Sequence, residues 1–162
     1  GLGTSGNDCW GWVDPNTQKE YALMCTSVGT SFIDITDGIS PIVLGHLPTN
    51  TVNSIWRDVK TYGTFAFIVS EASNHGMQVF NLTKLRDIDI TNAPVTFSAD
   101  AVYNGFGRAH NIVINEETGY AYPVGNQDPG RIFSEGVIEL SLILLLIFLA
   151  YSLLINSFTG TS

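Results

Sequence analysis

Three stretches of this chain follow one plan, and that repetition constrains the fold more than any other feature. WGWVDPNTQKEYALMCT from Trp10, WRDVKTYGTFAFIVSEA from Trp56 and AHNIVINEETGYAYPVG from Ala109 each read as a short strand, a polar turn and a second strand that opens with an aromatic residue and alanine. Tyr21-Ala22, Phe65-Ala66 and Tyr120-Ala121 mark the register. Asp14-Pro15-Asn16, Tyr62-Gly63 and Asn115 to Gly119 supply the turns, because these residue types accept positive φ or cap the backbone locally.

A third strand follows with two apolar residues, one polar residue and one apolar residue: Phe32-Ile33-Asp34-Ile35 and Val79-Phe80-Asn81-Leu82. A proline then opens a fourth, PIVLGHL from Pro41 and PVTFSADAV from Pro94, where its missing N–H costs no ladder hydrogen bond. Four antiparallel strands in meander order form the blade of a β-propeller. The markers are about 44 and then about 55 residues apart, the longer interval accommodating an insertion, LTKLRDIDITNA, Leu82 to Ala93. The expected fold class is therefore all-β: an incomplete propeller of about two four-stranded blades plus the start of a third, over residues 1–125. A sandwich of short strands is the competing architecture, but it does not demand the same marker in every unit. Two blades and a fraction fall short of the four to eight that close a ring, so unpaired blade edges are expected to favour self-association.

The segments NDCWGW, WRDVK, FIVSEASNHGMQVF, PVTFSADA and GRAHNIVINEETGYAYPVG resemble the choice-of-anchor B family of extracellular LVIVD-repeat propellers, over roughly Asn7 to Gly125. The resemblance implies a secreted or surface-displayed propeller, attached in different members by different C-terminal devices, and it brings no reaction with it. Relatives in that family continue through further blades, so the sequence reads as the N-terminal part of a larger protein. It begins GLGTSGNDCW without an initiator Met, basic n-region or apolar h-region, as after removal of a leader or in a fragment.

Composition narrows the partners. Seven Lys and Arg against fifteen Asp and Glu give a formal net charge of -8, leaving no basic stripe to neutralise phosphates, so nucleic acid is not an expected partner. A protein or glycan ligand fits an extracellular binding module better. Cys9 and Cys25 are either a disulfide, closing a loop of roughly 15 residues and contributing about 3 kcal/mol in an oxidising compartment, or two free thiols. Asn81-Leu82-Thr83 is a glycosylation sequon at the end of a strand.

No GxSxG elbow, HExxH helix, P-loop or GxGxxG fingerprint occurs. In the repeat register Arg57 aligns with His110 and Asp58 with Asn111, at the start of the strand that lines a propeller channel. Asp58, Asp100 and Asn111 could offer oxygens to Ca²⁺, and His75 and His110 could ligate a transition metal or move a proton. Each of these residues equally suits backbone satisfaction at a turn, and Asp58 beside Arg57 suits a local ion pair. Two function classes follow. One is a non-enzymatic surface module without a cofactor; the other is a hydrolase or lyase with its site near Arg57 and His110. Trp10, Trp12 and Trp56 read as core between blades.

Ser141 to Ile155 holds no charge and is rich in leucine, so it is expected to be helical. Val137-Ile138-Glu139-Leu140 matches the third-strand signature, with Gly136 placed as Gly76 is; residues 126–140 are thus a linker or a third-blade strand, and 156–162 a polar tail. If the match holds, about 15 residues remain for a helix, spanning about 22 Å against a bilayer core of about 30 Å. A short or tilted membrane helix over Leu140 to Ile155, an unrelated tail from a truncated or misread coding sequence, and a buried helix or strand are the three expectations.

Overall fold

A computed structural model describes residues 5–125 and 138–159. The described residues are mostly β, with three sheets and one α-helix. Sheet 1 is a meander of β1 (Gly6–Val13), β2 (Glu20–Thr26), β3 (Gly29–Asp34) and β4 (Ile42–Pro48). Sheet 2 contains β5 (Arg57–Tyr62), β6 (Phe65–Ser70) and β7 (Met77–Asn81), after which the chain makes two 3₁₀ turns, Leu82–Leu85 and Ile90–Asn92. β8 (Val95–Thr96) then pairs in parallel with β4 of sheet 1, and β9 (Ala101–Tyr103) returns to sheet 2 beside β7. Sheet 3 is β10 (Asn111–Asn115), β11 (Tyr120–Val124) and β12 (Ile138–Glu139), followed by helix α1 (Leu140–Thr159).

The aromatic–alanine marker has the same pairing in all three sheets. Tyr21 lies opposite Asp34, Phe65 opposite Asn81 and Tyr120 opposite Glu139; Ala22, Ala66 and Ala121 face Ile33, Phe80 and Ile138. One further hydrogen bond repeats three times at 2.9 Å: Ile35 N–H to Glu20 O, Leu82 N–H to Thr64 O and Leu140 N–H to Gly119 O. The third-strand match at Ile138-Glu139-Leu140 is therefore real, while Gly136 and Val137 lie outside the described residues.

Sheet 2 is the middle layer, and its strands show it. Along β6, Ala66 and Ile68 join the core shared with sheet 1, while Phe67 and Val69 join the core shared with sheet 3. Because successive side chains alternate across a sheet, a strand covered on both faces must be apolar at every position, as FAFIV is. β7 divides likewise, Phe80 toward sheet 1 and Met77 and Val79 toward sheet 3. Each fully buried side chain of this size contributes about 1.5–3 kcal/mol. Phe80 stacks on Phe32 across the first interface at 4.5 Å between ring centroids, and Phe97 closes on both.

Two positions require glycine. Gly63, at φ 58°, carries the two-residue connection between Tyr62 and Phe65. Gly45 lets the β8 segment approach: a Cβ there would stand 2.4 Å from the Phe97 ring and 2.6 Å from Val95 O.

Several expectations are corrected or resolved. The run from Pro94 is not one strand; Val95–Thr96 leaves to extend sheet 1, and only Ala101–Tyr103 completes sheet 2. Trp12 alone of the tryptophans is buried, since Trp10 and Trp56 expose 40% and 48% of their surface, and pairing sets Trp10 level with Lys60 and Val113, not with Trp56. Of the two alternatives left open for the cysteines, the structure has the free thiols: Cys9 pairs with Met24, so the next residue, Cys25, points through the opposite face of sheet 1. A membrane-spanning helix over Leu140 to Ile155 is not found. Among the described residues no helix is long and apolar enough to cross a membrane, and α1 instead seats Leu140, Ile143 and Ile147 in the core shared by sheets 2 and 3. The helix runs on to Thr159, through part of the segment read as a polar tail; 126–137 and 160–162 lie outside the described residues.

Candidate functional site

The first strands of the three sheets, β1, β5 and β10, lie side by side. Their register sets Asn7, Arg57 and His110 in one row and Asp8, Asp58 and Asn111 in the next, as the repeat alignment of Arg57 with His110 and Asp58 with Asn111 anticipates. The rows are stitched across sheets by side chains: Arg57 N–H donates to Asn7 Oδ1 at 2.9 Å and Ile112 N–H to Asp58 Oδ2 at 2.8 Å.

Arg57 is fully buried and turns toward sheet 1. Its guanidinium donates to Thr26 O at 3.3 Å, Thr49 Oγ1 at 2.8 Å and His75 Nε2 at 2.8 Å. A guanidinium can only donate, so Nε2 must be the accepting nitrogen; the His75 proton sits on Nδ1, which donates to Gly76 O at 3.0 Å. Burial pushes the His75 pKa down to about 4, and the nearby Arg57 charge acts in the same direction, so the ring is neutral at pH 7. Arg57 and His75 thus form a buried cation–imidazole pair that clamps the loops of sheets 1 and 2.

Asp58 is also buried. It accepts from Val59 N–H at 2.7 Å, Lys60 Nζ at 2.5 Å and the Asn111 amide at 3.4 Å, besides Ile112. Burial alone would raise its pKa; hydrogen bonds with Asp8, Lys60 and the Ile112 N–H outweigh that and hold it below the usual range. Asp8 moves the other way, raised by burial and by sharing a hydrogen bond with Asp58, so Asp8 is the partner that holds a proton more readily.

His110 faces out of the layer. Its Nδ1 lies 2.5 Å from Glu71 Oε1, and its ring is 5.7 Å from that of Trp56, so three half-exposed side chains form one polar-aromatic patch. Arg57 is not part of it: one row across adjacent strands carries the two residues, but their side chains diverge. Ser70, paired with Arg57 in sheet 2, donates its hydroxyl to Trp56 O at 3.0 Å and accepts from the Ala72 N–H.

The trio Asp58, Asp100 and Asn111 does not converge. Asp58 and Asn111 touch, but Asp100 is buried at the other end of sheet 2, accepting from Asn81 N–H at 2.7 Å and pairing with Lys84 Nζ at 2.6 Å. Among the described residues no group of three or more His, Cys, Asp or Glu side chains could hold a metal ion. Asn81 closes β7, and its side-chain oxygen caps the following 3₁₀ turn by accepting from the Thr83 N–H and hydroxyl.

One polar contact escaped the sequence reading. Asp14, fully buried in the β1–β2 turn, is held by Arg86 of the insertion, Nε to Oδ2 and Nη2 to Oδ1, both 2.7 Å. The Arg86 hydrogen bonds hold the Asp14 carboxyl well below the usual carboxylate range, against its burial. The residues are 72 positions apart, and nothing local pairs them. A second feature, an open hollow of about 180 Å³, lies between the first strands and is lined by Trp10, Lys60, Thr61, Val113, Ile114 and Glu116; Lys60 Nζ stands 4.6 Å above the Trp10 ring centroid. No protein-family model, no curated protein and no solved structure matches this chain.

Proposed function

We propose that the chain is a propeller-type binding or display module of the secreted or cell-surface kind, its three sheets acting as successive blades, in line with the resemblance to the choice-of-anchor B family. One observation carries the non-enzymatic reading. The ionisable groups of the first strands are consumed in holding sheets together: Arg57 by Thr26, Thr49 and His75, and Asp58 by Lys60, Asn111 and Ile112. What stands open instead is the Trp56–His110–Glu71 patch, an aromatic ring beside hydrogen-bonding groups, which suits a protein or glycan ligand.

A hydrolase or lyase is the second reading, and the His110–Glu71 contact is what favours it. A carboxylate fixed on Nδ1 orients an imidazole and strengthens Nε2 as a proton acceptor. The Ser70 hydroxyl, on the strand paired with Arg57, is already engaged with Trp56 O, which counts against its use as the nucleophile.

Immobilised protein probed with a glycan array and a panel of extracellular matrix proteins decides between them. Binding that falls at least about tenfold in Trp56→Ala and His110→Ala, with unchanged melting temperature, supports the module. Turnover of ester, peptide or glycoside substrates that disappears in a stably folded His110→Ala overturns it.

A further inference from the structure

Helix α1 carries two apolar stripes, and the fold uses only one. At 100° per residue, Leu140, Ile143 and Ile147 occupy one side, where they are buried against sheets 2 and 3. Leu142, Leu145, Leu146 and Leu149 occupy the opposite side with the spacing i, i+3, i+4, i+7, and they are between 47% and 66% exposed. That spacing is the one by which a helix presents a continuous seam to another helix.

Four observations limit what can cover the seam. The helix Leu140–Thr159 contains no Lys or Arg, so it lacks the basic face by which interfacial helices meet anionic lipid, and the chain's net charge of -8 opposes such a surface. The hydroxyls of Ser141 and Ser152 are satisfied within the chain: Ser141 Oγ donates to Glu139 and Ser152 Oγ to Phe148 O. The apolar surface continues past Leu146 into a cleft of about 230 Å³ between the helix and β9, lined by Ala101, Val102, Tyr103, Ile143 and Ile147, with Asp100 at its margin. Finally, the four exposed leucines present on the order of 400 Å² of apolar surface, and a symmetric pair would bury about 800 Å², the size of a weak, concentration-dependent interface.

We propose that α1 is a self-association surface, on which Leu142, Leu145, Leu146 and Leu149 pack against the same residues of a second copy of this chain. A two-fold axis passing near Leu145 and Leu146 satisfies both copies with one self-complementary patch. The contact is distinct from the Trp56–His110–Glu71 patch and stands or falls independently of the ligand.

Sedimentation of the full chain between about 1 and 100 μM, concentrations that bracket the affinity of an interface this small, tests it without detergent. A monomer–dimer equilibrium is expected, and Leu145→Glu with Leu149→Glu should shift it to monomer with unchanged far-ultraviolet circular dichroism. Should that variant unfold, Leu146→Cys in a Cys9→Ser background gives the second readout: Leu146 lies close to its own copy in either helix orientation, so a covalent dimer should form under mild oxidation. A dimer indifferent to both Glu substitutions, a monomer throughout with no cross-link in the Leu146→Cys variant, or a monomer that floats with phosphatidylcholine or phosphatidylserine vesicles would each overturn the proposal.

Discussion

Arg86 grips Asp14 through two parallel 2.7 Å hydrogen bonds, tying the insertion of sheet 2 to the first turn of sheet 1. Thr17 Oγ1 and Asn16 N–H complete the carboxylate's partners. Replacing Arg86 by Met keeps the stem and removes the fork, so a buried carboxylate loses its two strongest donors. The melting temperature should fall by several degrees at pH 7. The deficit should shrink in Arg86→Met/Asp14→Asn, whose turn no longer carries a charge, and a thermal double-mutant cycle reads that coupling.

His75 makes stability depend on pH in a definite direction. Its folded pKa of about 4 lies below its ordinary value near 6.5, so the unfolded chain binds more protons than the folded one between those limits. Stability from this residue is complete above pH 6.5 and declines as the pH falls toward 4, by roughly 3 kcal/mol over the window. Below pH 4 its contribution no longer changes. Urea unfolding at about pH 7 and about pH 4.5 should show this loss, and His75→Gln, which still offers Arg57 an acceptor, should flatten the slope between them.

Gly45 and Gly11 offer a matched pair within sheet 1. A methyl group at Gly45 meets the Val95 carbonyl as well as the Phe97 ring, and the carbonyl cannot move without parting β8 from β4. A methyl at Gly11 meets nothing within 4 Å. Gly45→Ala should destabilise by about 1–3 kcal/mol, whereas Gly11→Ala should be neutral or slightly stabilising. Chemical denaturation of both variants against the parent chain reads the difference.

What the sequence discloses here is what is local and periodic. The turn residues, the aromatic–alanine register and the third strand at Ile138-Glu139 are all legible, because each depends on contacts within one hairpin. β8 is not. Val95–Thr96 continues an unbroken apolar–polar alternation as far as Ala101, and the room left by Gly45, far upstream, lets the run split between two sheets. The candidate site fared similarly. The rows of Arg57 with His110 and Asp58 with Asn111 follow from the repeat, but which way each side chain turns depends on the neighbouring sheet. Thr26 and Thr49 draw Arg57 inward, while Glu71 fixes His110 outward. Trp10 and Trp56 look alike in sequence and differ in register by four positions, since the turn lengths before Tyr21 and Phe65 are unequal.

The cysteines give a chemical measure of the first sheet. Cys25 is fully buried, its thiol pushed up to about 12 chiefly by burial, and its Sγ is 3.9 Å from Thr30 Oγ1. Cys9 is exposed on the other face. A thiolate is the nucleophile, so an aromatic disulfide reagent at about pH 8 should titrate Cys9 within minutes and leave Cys25 unreacted until the sheet opens. The native protein should therefore release one equivalent of reporter and the urea-unfolded protein two. Cys9→Ser should abolish the fast phase alone. Zero equivalents from both native and unfolded protein would mean that Cys9 and Cys25 are cross-linked, which would require the β1–β2 pairing to break at Cys9 and Met24.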